Sequence, residues 1–428
     1  MKALSIAYLY YYYLYCLAQL AGGTVLPGDS HNDRRVSPGL FESLDELARV
    51  VDISYCVGAT GTGIQKPFEC LSRCDEFQGF ELVTTWNTGP LISDSCGYIT
   101  LSHPPHAKRI IVAFRGTYSI TNTIIDLSAV PQVYVPYPDT EDDDGAGERD
   151  KCSNCTVHAG FLTSWKTARA TVIPHVEAAL AQYPDYRVVL VGHSLGGAVA
   201  ALAGLEMQIR GWNPQVTTFG EPRIGNQALA SFLDETFNLT GRESRGQKGH
   251  YMSPNDIIRD EDENIQFRRV THVNDPVPLL PLEEWGYEMH AGEIHISKID
   301  LPPSVSDLEH CNGDHDPQCI SESELSMKSS VINGLLPFLR PTTESNISPI
   351  QQSLLSFNEA GPGPGASADE EIRTEWSLLP ARYRLWELFL SHRDYFYRLG
   401  LCIPGGDPSK FRGWEGNDKV KQKQNIQY

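Results

Sequence analysis

Residues 188–207 constrain this chain more than any other stretch. Val188-Val-Leu-Val191 reads as a buried strand that stops at Gly192, and the small residues from Gly196 onward read as a helix. Ser194 stands at the joint, inside Gly192-His-Ser-Leu-Gly196. Strand, Gly-x-Ser-x-Gly turn and helix make a nucleophile elbow, in which a sharp turn lifts a serine hydroxyl off the end of a sheet. The glycines let the two flanking backbones pass without a Cβ clash. An ordinary strand-to-helix glycine turn has the same glycines. A catalytic role for Ser194 therefore requires that the chain also supply a base, an acid and donors for an oxyanion.

The surrounding pattern fits such a sheet. Residues 80–86, 98–101 and 109–114 read as strands, and residues 40–51 as a helix with Leu40, Leu44, Leu47, Val50 and Val51 on one stripe. Residues 161–181 read as a helix that buries Trp165, Ala168, Val172 and Val176. Strands at 216–219 and 267–273 flank a helix over 225–237. Strand and helix alternate, which predicts an α/β fold with a mostly parallel central sheet. The segment 119–130, apolar through Ile124, Ile125 and Leu127, reads as a lid helix or a plain surface helix. Residues 241–264 and 301–380 read as insertions, and the polar tail 405–428 as disordered.

A serine hydroxyl becomes a nucleophile only when a base takes its proton, and a carboxylate must hold that base in the right tautomer. On elbow hydrolases the order after the serine is acid, then histidine. Asp275 follows the strand over 267–273 at the carboxyl edge where a parallel sheet gathers its site, although an aspartate before Pro276 would also serve as a turn cap. His290, His295, His310, His315 and His392 all lie downstream, and spacing does not choose among them.

These residues carry a family likeness. Phe114-Arg-Gly-Thr-Tyr-Ser-Ile-Thr-Asn122, Cys152-Ser-Asn-Cys-Thr-Val-His-Ala-Gly-Phe161, Phe219-Gly-Glu-Pro-Arg-Ile-Gly-Asn226 and Arg269-Val-Thr-His-Val-Asn-Asp-Pro-Val-Pro278 resemble segments of the class 3 lipases of filamentous fungi, a family that includes feruloyl esterases. The likeness spans residues 36–402 apart from the insertions, and implies the α/β-hydrolase fold. In that family the base precedes a Tyr-Phe pair with a cysteine shortly after, which selects His392 through Tyr395, Phe396 and Cys402. It further implies a Cys56–Cys402 bridge and an oxyanion hole formed by the backbone N–H of Thr117 together with that of Leu195, the residue after the nucleophile. His193 is the variable residue of the elbow and reads as structural. The chain departs from the family in three places. Thr123 stands where lipases often carry a lid tryptophan, the lid is more apolar than in feruloyl esterases, and the acid-to-base segment is long.

Export is written into the first residues. One lysine followed by an uncharged apolar run to Leu20 reads as a signal peptide over 1–22, against the alternative of a retained anchor. Residues 23–35, ending in Arg34-Arg35, read as a propeptide, leaving a hydrolase domain over 36–404. In an exported chain the close pairs Cys70/Cys74, Cys152/Cys155 and Cys311/Cys319 read as disulfides, with Cys96 left as an odd thiol. Asn154, Asn238 and Asn346 lie in glycosylation sequons. A net charge of −19 opposes nucleic acid and anionic membrane as partners. Serine acyl transfer calls for no metal and no cofactor.

The expectation is thus a secreted, monomeric serine hydrolase acting on acylglycerol esters at an oil–water interface. A feruloyl or other short-chain esterase, a membrane-anchored phospholipase and a catalytically inert α/β-hydrolase-like binding protein are the alternatives.

Overall fold

In a computed structural model of the 428-residue chain, the residues described are 34–58, 63–89, 94–117, 131–135, 152–239, 265–312, 315–321 and 391–403. The chain divides into two compact units, Met1–Arg35 and Val36–Tyr428, and the second carries every element below. The lid segment, Asn346, the expected insertion 241–264, most of 301–380 and the tail lie outside the described residues.

Helix α1 (Pro38–Ile53) begins where Ser37 accepts the N–H of Leu40 at 3.1 Å and Pro38 takes the first helical position. The strands are β1 (Phe80–Asn87), β2 (Cys96–Ser102), β3 (Arg109–Phe114), β4 (Pro131–Val133) and β5 (Thr156–His158), after which helix α2 (Ala159–Gln182) begins. Strand β6 (Arg187–His193) leads into α3 (Leu195–Ile209), then β7 (Gln215–Phe219), α4 (Gln227–Thr236), β8 (Phe267–His272), β9 (Glu293–Ile296) and β10 (Leu308–His310). The main sheet has the order β1-β2-β3-β6-β7-β8-β9-β10. Its middle, from β3 through β9, is parallel, and the outer pairs β1/β2, β2/β3 and β9/β10 are antiparallel. No described helix is long and apolar enough to cross a membrane.

The period-two alternation of the strands builds a core on each face. Ile110, Val112, Phe114, Val188 and Leu190 pack toward α2, α3 and α4. Ile111, Ala113, Val189 and Val191 point the other way, onto α1 and the C-terminal residues Tyr395, Phe396 and Leu399. Strands buried on both faces need unbroken aliphatic runs, which is why 110–114 and 188–191 read so clearly.

The sequence reading of α1, β1–β3, α2, β6, α3, β7, α4 and β8 agrees with these elements to within two residues at most ends. Asn226 is the cap of α4 rather than part of it, its side chain accepting the N–H of Leu229 at 3.1 Å. Two strands escape the pattern. β9 is the polar-looking Glu-Ile-His-Ile, whose Glu293 is buried because Arg269 and Thr271 of β8 satisfy it at 3.0 and 2.6 Å. β10 has three residues and pairs Leu308 with Ile296. It falls inside 301–380, so the described part of that segment contributes an edge strand to the sheet.

All four bridges form: Cys56–Cys402, Cys70–Cys74, Cys152–Cys155 and Cys311–Cys319. Cys96 is free and buried, its thiol against Asn87 Oδ1 at 2.9 Å. The bridge from Cys56, just beyond α1, spans 346 residues to the C-terminal segment. Beside it, buried Asp52 accepts the backbone N–H of Gly400 at 2.8 Å and the Ser72 hydroxyl at 3.2 Å. A cross-link over so long a loop restricts the unfolded chain by about 5 kcal/mol in the chain-entropy picture. Cys402→Ala should therefore lower unfolding stability by several kcal/mol, measurable by denaturant titration. It should also loosen the segment 391–403, which loses its tether.

Candidate active site

The elbow sits at the C-terminal end of central strand β6. Ser194 has φ 59° and ψ −130°, unusual for a residue with a side chain. Its N–H donates to Phe219 O at 2.9 Å, and its carbonyl accepts from Gly197 at 2.8 Å. The turn is tight enough that a Cβ on Gly192 would lie 2.0 Å from Gly196 O, and one on Gly196 2.4 Å from Phe114 O. Only glycine fits at either place. Ser194 Oγ is buried and makes no hydrogen bond among the described residues.

Asp275 and His392 come together across 117 residues of sequence. His392 Nδ1 lies 2.9 and 2.8 Å from the two carboxylate oxygens of Asp275, and both side chains are fully buried. A carboxylate only accepts, so Nδ1 carries the proton and Nε2 has its lone pair free. That Nε2 has no hydrogen-bond partner among the described residues either. Both unbonded atoms belong to residues packed on the same segment. Ser194 bonds Phe219, and a Cβ on Gly220 would fall 2.7 Å from His392 Cε1 and 2.8 Å from Asp275 Oδ2.

Two further groups hold the Asp275 carboxylate. Tyr395 donates its hydroxyl to Asp275 Oδ2 at 2.5 Å, and the N–H of Val277 donates to Oδ1 at 2.9 Å. Burial pushes the Asp275 carboxyl up, but His392, Tyr395 and Val277 together outweigh it and hold it below its ordinary value. The same contact and burial raise the Tyr395 hydroxyl well above its usual range.

The other histidines are engaged elsewhere. His290 Nε2 faces Glu221 at 3.2 Å, and although burial alone would lower its pKa, Glu221 raises it. His295 Nδ1 meets the Thr271 hydroxyl at 2.9 Å. His310 is half-buried on β10, and His315 is exposed beside Glu288 at 3.3 Å. Among the described residues it is His392 that meets Asp275.

Gly116 and Leu195 border the serine from two sides. Leu195 is the first residue of α3, where an N–H has no partner within the helix. Thr117 follows Gly116, at which a Cβ would stand 2.9 Å from Ser194 Cβ and 2.7 Å from His193 O. The end of β3 therefore touches the elbow. Ile124, Ile125 and Leu127 lie outside the described residues.

Sequence reasoning assigned no task to Tyr55 or Tyr395. Tyr395 was visible only as a neighbour of the base, and Tyr55 lies 139 residues before the serine. Tyr55 O–H contacts His193 Nδ1 at 2.5 Å, and His193 Nε2 reaches the carbonyl oxygen of His392 at 2.8 Å.

A buried hydroxyl on an elbow, a carboxylate–imidazole pair and the N-terminus of a helix, all at the carboxyl edge of a parallel sheet, define an ester hydrolase of the α/β-hydrolase fold. Comparison with known proteins narrows this. The sequence profile "Lipase (class 3)" matches residues 111–285. "Lipase A" of Sodiomyces alcalophilus is 47% identical over 93% of this chain and 92% of its own length. A "secreted mono- and diacylglycerol lipase 2" of Gibberella zeae is 46% identical over 87% of this chain and 85% of its own. Among solved structures, Lip2 lipase of Yarrowia lipolytica superposes with a TM-score of 0.57 at 29% identity, over 73% of this chain and 98% of that one. The chain belongs to the fungal class 3 lipases, and is an exported ester hydrolase of that family.

One pH dependence follows from the site. Burial, and next the adjacent charge of His392, lower the pKa of His193 to about 3. The folded protein then refuses a proton that the unfolded chain takes up below about pH 6.5, so stability is lost as pH falls from there. In the variant His193→Gln this loss disappears. Its unfolding free energy should decline less steeply than that of wild type between pH 6.5 and 4.5, the difference reaching about 2 kcal/mol in denaturant titrations.

Proposed function

We propose that Ser194, Asp275 and His392 are the nucleophile, acid and base of an acylglycerol lipase that works through an acyl-enzyme. The observation that carries this reading is the arrangement of protons. Asp275 fixes the His392 proton on Nδ1, which leaves Nε2 free to receive one, and Ser194 Oγ is a hydroxyl that no group among the described residues engages.

His392 Nε2 removes the proton of Ser194 as its oxygen attacks the ester carbonyl, and the imidazolium formed is stabilised by Asp275. The N–H groups of Leu195 and Thr117 receive the developing oxyanion. Such preorganised donors contribute about 3 kcal/mol each. His392 then protonates the departing glycerol oxygen, and water activated by the same nitrogen releases the fatty acid. Tyr395 and Val277 keep the Asp275 carboxylate ionised and aimed while the charge on His392 changes.

Several features support an exported enzyme acting at a lipid surface. The boundary between the two compact units follows Arg35, in accord with a signal over 1–22 and a propeptide over 23–35. Asn154 and Asn238 are exposed, as glycosylation would require. Val133 and Val135, directly after the lid segment, are 73% and 58% exposed apolar residues. The name of the Gibberella zeae relative favours mono- and diacylglycerols as substrates beside triacylglycerols.

Ser194→Ala should abolish labelling by a fluorophosphonate probe and all esterase turnover. Asp275→Asn should lower kcat by about 10⁴-fold while leaving the fold intact, because the base is then held in the wrong tautomer. An unlabelled wild type, or a turning-over Ser194→Ala, would end the proposal. Rates on tri-, di- and monoacylglycerols and on a feruloyl ester decide the substrate class, and the acylglycerols are expected to lead.

A further inference from the structure

Tyr55 and His193 are buried polar residues that the reaction above does not use. Their contacts form one directed chain. The His392 carbonyl oxygen can only accept, so its 2.8 Å contact places a proton on His193 Nε2. His193 Nδ1 is then an acceptor, and the Tyr55 hydroxyl donates to it at 2.5 Å. The tyrosine oxygen accepts in turn from the backbone N–H of Gly116. Polar links thus run from the end of β3 through two side chains to the backbone of the base.

The same histidine controls the plane of the base. The rings of His193 and His392 stack with centroids 4.7 Å apart and planes inclined by 28°. While His392 holds the serine proton it is a cation, and a second cation in the stack would oppose it. Burial keeps His193 uncharged. Tyr55 is itself fixed by the segment that carries His392, since its ring would be 3.3 Å from a Cβ on Gly400, and the next residue, Cys56, bonds Cys402.

We propose that His193 and Tyr55 are positioning residues for His392. The uncharged, Nε2-protonated ring of His193 holds the backbone and plane of the base, and Tyr55 sets that tautomer while linking the base to the Gly116–Thr117 end of β3. This rests on the assignment of Ser194, Asp275 and His392 made above.

The test is turnover of a soluble p-nitrophenyl ester, with active sites counted by fluorophosphonate titration and thermal unfolding recorded for each variant. His193→Phe keeps a ring and removes both hydrogen bonds. Its per-site kcat should fall about 30-fold with KM within about twofold, because a base displaced by a fraction of an ångström loses its alignment. His193→Gln restores a donor toward the His392 carbonyl and should recover about tenfold of that loss, out of proportion to any difference in unfolding temperature. Tyr55→Phe removes a single oxygen and should cost about fivefold in kcat. It carries the test if His193→Phe does not fold. An unchanged per-site kcat in His193→Phe, or in Tyr55→Phe where that variant stands in for it, overturns the proposal. So do equal losses in the Phe and Gln variants that track unfolding temperature. Ser194→Ala and His392→Ala run alongside. Turnover surviving in either overturns the assignment of the nucleophile and base, and this proposal with it. Turnover lost in both but kept in His193→Phe overturns this one alone.

Discussion

At Ser194 the backbone takes a conformation that costs on the order of 1–3 kcal/mol, and the architecture is arranged so that it has no alternative. Strand β6 and helix α3 meet at van der Waals distance through Gly192 and Gly196. The serine N–H is taken by β7, and its carbonyl by the first turn of α3. Because β6 lies between β3 and β7 in a parallel sheet, the residues leaving those neighbours arrive beside the serine. Gly116 comes from one side and Gly220 from the other. Asp275, the proposed acid, arrives from the end of β8. One strained turn in the centre thus defines where every other reactive group has to be delivered.

The proposed base is delivered differently. His392 belongs to no described strand of the sheet and reaches the elbow in a short segment clamped against α1. Asp52 is the polar part of that clamp. Burial pushes its carboxyl up to about 6, even though Gly400, Arg73, Ser72 and Leu401 all favour its charge. With four favourable partners, the Asp52 carboxyl is still held at a net cost to its ionised form. Helix α1, at the start of the domain, and the last described residues form one structural unit that faces the back of the elbow.

How far the site could be read from the sequence depended on how local its cause was. The elbow depends on neighbours within ten residues and a run of β-branched side chains, so Ser194 stood out. Asp275 could be placed because it follows a strand end. Spacing does not select the proposed base among five histidines, because what distinguishes His392 is that it meets Asp275 while Glu221 and Thr271 engage His290 and His295. Only the likeness to a known family chose it. The strands β9 and β10 were hidden for a related reason. Glu293, a poor strand-core residue on its own, is satisfied by Arg269 from the adjacent strand, and a three-residue edge strand has too few positions to show alternation. Tyr55 shows the same limit, since its task is defined by two residues 138 and more positions away.

The bridge that joins Cys56 to Cys402 also orders events in time. A ribosome makes Ser194 first and Asp275 next, and the sheet can begin to assemble around them while the imidazole is still unsynthesised. The proposed base, His392, follows Asp275 only after a further 117 residues. The tether that holds its segment needs an oxidising compartment. A copy stalled before His392, or left in a reducing cytosol, would therefore present a serine with nothing secured to activate it. The cell that makes such a hydrolase would be shielded from it until the polypeptide is finished and on its way out.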